Sequence, residues 1–258
     1  MMRPGMPRAR TVLAGFAVSI CLASPDAANA AEITVLCSNG IRAVMQELVP
    51  QFEKATGYHV VITYGLAAAL KRQIDAGEPF DLAILTPQFI DDGIEKGSLA
   101  RESRTELARA GMAMAIRRGA GKPDVATTEA LKRTLLASAS IAYAKEGAAG
   151  TFFVALIERL GLARDLQPKL KPVATGVDVA ASVASGGASL GIMPLSEILP
   201  APGVEVLGLF PPDVQSYLIM VAATRRDTPR SAVAGELIRF VASPPTLAVL
   251  KKNGMDRD

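Results

Sequence analysis

Tryptophan is absent from this chain, histidine occurs once, cysteine twice, and aromatic residues fill only 5% of its 258 positions. Each shortage removes a class of protein. One histidine (His59) and so few cysteines cannot assemble a standard zinc site, and no metal or other cofactor is expected. Cys21 lies in the N-terminal export segment described below. The mature chain therefore keeps only Cys37 and has no internal disulfide to expect, even in an oxidising compartment. No Lys/Arg stripe is interleaved with aromatics, which leaves nucleic-acid binding without support. No segment after the N-terminus is apolar for long enough to span a bilayer. Stability must therefore come from packing, for which a chain of this size and 50% hydrophobic content suffices.

What is present begins with Arg3, Arg8 and Arg10, followed by the apolar run Thr11–Ser24, a break at Pro25, and Ala28-Asn29-Ala30. This is the anatomy of a cleaved signal peptide over residues 1–30 and predicts a periplasmic protein. Cys21 is preceded by Ile20 where lipid attachment wants a small residue. Loss of Arg3, Arg8, Arg10 and Asp26 lowers the formal charge from +3 to +1, so the basic balance partly belongs to the export signal.

Strand and helix patterns then alternate. Ile33–Leu36 reads as a buried strand. Ile41, Val44, Met45, Leu48, Val49 and Phe52 follow a helical rhythm, closed by Gly57. His59–Tyr64, Ala67–Ala76, Asp81–Leu85 and Pro87–Lys96 continue the alternation, which implies parallel strands with helices on the sheet faces. A second block starts near Gly111, with strands at Met112–Arg117, Ser140–Ala144, near Val173, Leu190–Met193 and Tyr217–Ala223. Its helices fall at Thr128–Ser138, Thr151–Leu160 and Val177–Ser185, and two more close the chain. The count fits an α/β protein of two lobes, each a mixed, mostly parallel sheet flanked by helices. Met112–Ile116 and Tyr217–Ala223 are the candidate crossovers. The first lobe would comprise residues 31–112 plus 222–258, and the second 113–221.

Three strand-to-helix turns carry the candidate chemistry: Cys37-Ser38-Asn39-Gly40, Gly65-Leu66-Ala67-Ala68, and Glu146 through Thr151 with Gly147 and Gly150. Free N–H groups and the helix dipole favour an anion at such places, and ligands of open α/β sheets bind at strand carboxyl ends. Ser38 or Asn39 could equally act as a plain helix cap. Gly187-Ala188-Ser189-Leu190-Gly191 matches the G-x-S-x-G string, but a helix precedes Ser189 and a strand follows, the reverse of a nucleophile elbow. Gly119-Ala120-Gly121-Lys122-Pro123 lacks P-loop spacing. His59 reads as a surface strand residue.

Ile33-Thr34-Val35-Leu36, the run Phe52-Glu53-Lys54-Ala55-Thr56-Gly57, Leu70-Lys71-Arg72-Gln73-Ile74 with Phe80-Asp81-Leu82-Ala83-Ile84, Leu195-Ser196-Glu197, and the ending Leu250-Lys251-Lys252-Asn253-Gly254 resemble the periplasmic molybdate-binding proteins. The resemblance spans nearly the whole mature chain. It implies the type II-like, two-lobed periplasmic binding protein fold and an ABC importer's substrate-binding component, with a small anion held between the lobes by hydroxyls and backbone N–H groups. Its partner would be an inner-membrane ABC permease, and it would act as a monomer without enzymatic activity. The family's first-loop serine falls on Gly40, its serine pair on Ala67 and Ala68, and its cleft tyrosine on Pro194. Those departures predict a ligand shifted from molybdate towards a small organic anion. The expected ligand contacts are Ser38, Asn39, Gly40, Leu66, Ala67, Gly147, Gly150, Thr151, Thr175 and Met193. True molybdate or tungstate binding stays open as an alternative. So do a serine hydrolase acting at Ser189 and a ligand-sensing subunit.

Overall fold

The computed structural model describes residues 1–2 and 32–257, so the expected signal peptide over residues 1–30, with Cys21, lies outside the described residues apart from Met1 and Met2. Strand β1 (Glu32–Ser38) buries Ile33, Val35 and Cys37 in the main core and leads through a short 3-10 turn into α1 (Arg42–Thr56). All six apolar positions of the helical rhythm are buried there, and Gly57, at φ 76°, ends the helix in the left-handed conformation glycine tolerates. Next come β2 (His59–Gly65), α2 (Ala67–Asp75), β3 (Leu82–Leu85) and α3 (Pro87–Glu95). The long strand β4 (Thr105–Arg117) is followed by α4 (Thr128–Ala137), β5 (Ile141–Ala144) and α5 (Ala148–Arg159). A single-turn α6 (Ala163–Leu166), β6 (Leu170–Val173), α7 (Gly176–Ala184), β7 (Leu190–Pro194) and the single-turn α8 (Leu195–Ile198) lead to β8 (Val204–Leu209). The last elements are β9 (Tyr217–Thr224), α9 (Ser231–Ala242) and α10 (Leu247–Lys252).

The strands run in the order β2-β1-β3-β9-β4-β7-β5-β6, with β8 also paired to β4. Pairing is parallel for β1 with β2 and β3, and for β5 with β6 and β7; β9 and β4 join their neighbours antiparallel. This is a mixed α/β sheet flanked by helices, as expected. The two halves meet in β4. Its residues Thr105–Gly111 pair with β9, and Met112–Arg117 face β7 and β8. From Tyr217 onward β9 pairs with β4 and β3. Two features were not legible in the sequence. The first part of β4 (Thr105–Gly111) mixes Thr, Glu and Arg with small residues, and β8 contains Gly208, so neither presents the apolar run of a buried strand.

Asp81 anchors the far end of β3 from inside the protein, at 3% exposure. The Thr34 amide and hydroxyl donate to its Oδ2 at 2.8 and 3.0 Å, the Thr228 hydroxyl donates to Oδ1 at 2.5 Å, and Arg230 lies 3.7 Å away. Burial pushes this carboxyl up, but the hydrogen bonds from Thr228 and Thr34, with Arg230, outweigh it and hold the pKa below the usual carboxylate range. A depressed folded pKa contributes stability above the unfolded value of about 3.9 that is lost as pH falls through the folded one. Asp81→Asn is therefore expected to cost about 2–4 kcal/mol at pH 7. Urea melts check this: the gap to wild type should narrow below about pH 4, and equal midpoints at pH 7 would contradict it.

Candidate functional site

A cavity of about 510 Å³ opens where the strands end. Ser38 at the end of β1, Leu66 after β2, Thr86 after β3, Ala144 at the end of β5 and Pro194 at the end of β7 all line it. Ser216, Tyr217, Leu218 and Ile219 close another side. The volume lies within the roughly 300–1,000 Å³ of small-molecule pockets and exceeds what a tetrahedral oxyanion fills.

Of the ten residues singled out in the sequence, Ser38, Asn39, Leu66, Ala67, Gly147, Thr151 and Met193 line this cavity. Gly40, Gly150 and Thr175 do not. Gly40 is buried under Leu218, and its carbonyl accepts a 2.7 Å hydrogen bond from the Ser196 hydroxyl. Gly150 lies inside α5, which begins at Ala148 rather than after the glycines, and it packs on the Ala144 carbonyl. Thr175 closes a capping box with Asp178, and its neighbour Gly176 lines the cavity instead.

No Lys or Arg is among the lining residues. The anion-favouring groups are backbone ones. The starts of α2, α3, α5 and α7 contribute Ala67 and Ala68, Gln88, Ala148 and Ala149, and Gly176, so several helix dipoles point their positive ends at one space. Two of the lining hydroxyls make hydrogen bonds within their own turns. Thr151 donates its hydroxyl to the Gly147 carbonyl at 3.2 Å, and the Ser38 hydroxyl accepts from the Gly40 amide at 3.4 Å. The Asn39 carbonyl oxygen accepts from Arg42 at 3.0 Å, which leaves the Asn39 amide nitrogen as a donor. Cys37 is fully buried beneath this turn, and burial drives its thiol far above the normal range, so it is chemically inert.

The lining includes two acids. Glu146 is exposed at the rim and faces Arg72 of α2 at 3.6 Å. Glu197 is different. It sits on α8 just past the end of β7, and among the described residues no hydrogen bond or ion pair holds its carboxyl. Burial pushes its pKa up to about 7, with the Arg42 charge opposing. The space for that carboxyl exists because residue 176 is glycine: a Cβ there would stand 1.9 Å from Glu197 Oε2. Glu197 also borders a second cavity of about 390 Å³ lined by Arg42 and Gln46, so it forms part of the wall between the two. A carboxyl poised near neutrality beside a cleft lined by helix starts is a group able to accept and return a proton. In the sequence Glu197 stands out only within the resembling segment Leu195-Ser196-Glu197 and not as a ligand contact. The further signal available was an acid three residues past the end of a fully buried strand.

Other chemistry-bearing residues stay apart. The Ser189 hydroxyl donates to the Ser140 carbonyl at 2.6 Å and lines a different cavity, while His59 bonds Glu53 at 2.9 Å on the surface. No nucleophile–base pair forms between them. Among the described residues no group of three or more His, Cys, Asp or Glu side chains could hold a metal ion, and no single helix is long and apolar enough to cross a membrane.

The chain is similar to several known proteins. An aconitate isomerase from Pseudomonas sp. is 30% identical over 229 residues, 86% of this chain and 87% of that protein. The molybdate-binding protein ModA of Escherichia coli K12 is 28% identical over 206 residues, covering 78% and 80%. The solved periplasmic molybdate-binding protein of Azotobacter vinelandii superposes with a TM-score of 0.74 at 21% identity, over 88% of this chain and 99% of that one. The expectation that the chain lacks enzymatic activity does not stand against the first of these, since a relative of that likeness and coverage is named as an enzyme. The profile of the bacterial extracellular solute-binding proteins matches residues 33–256, which implies a periplasmic location, an anionic ligand and an ABC permease as partner. With fold, profile and relatives in agreement over nearly all of the described chain, this protein belongs to the bacterial extracellular solute-binding proteins and is ModA-like.

Proposed function

We propose that this protein binds a small unsaturated polycarboxylate of the aconitate type in the cleft and interconverts its geometric isomers, with Glu197 as the base. The observation that carries the reading is the unpaired Glu197 carboxyl, raised to about 7, at the wall of a cleft lined by helix starts. The likeness to an aconitate isomerase supplies the substrate class. Backbone N–H groups at the starts of α2, α5 and α7 bind carboxylates, and Leu66, Phe152 and Met193 cover the carbon skeleton. Ala67 and Ala68 carry no hydroxyls, and the Thr151 hydroxyl is bound to Gly147, which weakens the case for a compact oxyanion such as molybdate.

The chemistry balances with one proton. Glu197 removes a proton from the substrate methylene, and the electron pair spreads over the allyl unit and its carboxylates. The same proton returns to the opposite terminal carbon as the double bond shifts, and the conformation about the bond to the former methylene carbon sets the geometry of the new double bond. Charge developing on the carboxylate oxygens faces preoriented N–H dipoles, which stabilise it without reorganisation. A base with a pKa near the working pH suits this transfer. The protein acts as a monomer, its two lobes closing over the ligand.

The deciding experiment incubates the mature protein with trans-aconitate and follows the vinyl protons by ¹H NMR. Appearance of the cis isomer, with deuterium entering the substrate carbon in heavy water when the carboxyl exchanges, is the expected result. A thermal shift with molybdate or tungstate and no conversion of aconitate would overturn the proposal. At 100 times the dissociation constant a bound ligand adds about 2.7 kcal/mol, which is readily measured.

A further inference from the structure

Thr86 is out of keeping with the other hydroxyls near helix starts. It stands at the end of β3, is 5% exposed and lines the cleft, and its Oγ1 has no hydrogen-bond partner. A buried hydroxyl left unpaired is costly and uncommon in folded proteins. Its position is the N-cap of α3, where threonine ordinarily spends its hydroxyl on the helix. Thr127 and Thr175 do so, accepting from the Ala130 and Asp178 amides. Thr86 does not.

The first turn of α3 explains what is left over. Pro87 has no N–H, and the Phe89 and Ile90 amides donate to the Thr86 carbonyl at 3.1 and 3.2 Å. The Gln88 amide has no such bond, and Gln88 lines the same cavity. A free hydroxyl donor and a free backbone donor therefore adjoin at the positive end of a nine-residue helix. No carboxylate of the protein occupies the spot.

We infer that Thr86 and the Gln88 amide form a separate carboxylate subsite of the cleft, which selects a ligand bearing an additional carboxylate arm over shorter acids. The inference rests on the polycarboxylate reading above and adds the residue that sets the ligand's length and charge. Phe89 and Ile219 line the same cavity and give it apolar wall.

The test is Thr86→Val, which keeps the shape and removes the hydroxyl, with Thr86→Ser as the rescue. Isothermal titration measures affinity for trans-aconitate and for itaconate, which lacks one of its carboxylates. Loss of a hydrogen bond to a charged group predicts about 10- to 100-fold weaker aconitate binding in Thr86→Val. Itaconate should change less than about twofold, on the same hydrogen-bond reasoning, and Thr86→Ser should restore aconitate binding. Because the valine relieves an unpaired buried hydroxyl, the ligand-free variant should melt at or above the wild-type temperature. Equal loss for both acids, or no loss for either, overturns the subsite while leaving the cleft assignment intact. Failure of the wild-type protein to bind either acid overturns both readings at once, and the two failures are thus distinct.

Discussion

Glu197→Gln is expected to slow interconversion of the aconitate isomers by about 10²–10⁴-fold while leaving substrate affinity within a few fold, the usual size of a lost general base. The amide keeps the shape of the side chain and its contact with Gly176 but cannot take a proton. The pH profile separates this role from a structural one. Burial raises the Glu197 pKa to about 7, so kcat/KM should climb through that value as the carboxyl ionises and then level off. A bound polyanion raises the pKa further, which puts the kcat limb at higher pH than the kcat/KM limb. The stability consequence has the opposite sign to that of Asp81. A carboxyl whose folded pKa is raised favours the folded state below the unfolded value of about 4.3 and loses that contribution as pH rises towards 7. Glu197→Gln should therefore gain stability relative to wild type between about pH 4 and 8, by something on the order of 2 kcal/mol. A variant with unaltered turnover would remove Glu197 from the mechanism.

Gly150→Ala is expected to lower the melting temperature by about 6–12 °C and to abolish ligand-induced stabilisation. A Cβ at position 150 would lie 2.0 Å from the Ala144 carbonyl oxygen and 3.0 Å from Tyr143 Cδ2. The obstacle is the backbone of β5, which cannot rotate aside as a side chain could, so the start of α5 must move. Overpacking of this kind costs about 3 kcal/mol, and for a chain of this length each kcal/mol is worth about 2–4 °C. Ala148 and Ala149, which line the cleft at the start of α5, move with the helix start. Gly121→Ala is the control: nothing lies within 4 Å of its added carbon, and its melting temperature should match wild type. Retention of both stability and ligand response in Gly150→Ala would show that the helix start tolerates displacement.

Gly150 also shows where sequence reading stops. Glycine in a strand-to-helix turn signals close approach of something to the backbone, and the sequence alone cannot say what. Here the neighbour is the protein's own strand, so the residue positions the site without lining it. Gly176 and Glu197 form the complementary case. They are 21 positions apart, and although Leu195-Ser196-Glu197 carries part of the family resemblance, nothing in the sequence says that Gly176 and Glu197 together make room for an unpaired acid. Thr86 likewise follows an ordinary apolar strand. Its interest comes from what its hydroxyl fails to meet, which only coordinates can report.

Local order was determined by the sequence itself. The helical rhythm from Ile41 to Phe52, the left-handed stop at Gly57 and the apolar runs of β1, β3, β5 and β7 follow from side-chain periodicity and backbone sterics, which act over a few residues. The turns after β1, β2 and β5 were legible for the same reason, since helix starts expose N–H groups wherever they occur. The tertiary structure alone decided how β4 and β9 join the two halves of the sheet, which helix starts share one cavity, and which acid stands among them. Those outcomes depend on contacts between residues far apart in the chain. The raised pKa of Glu197 depends on them too, because burial is a property of the assembled fold and not of any segment.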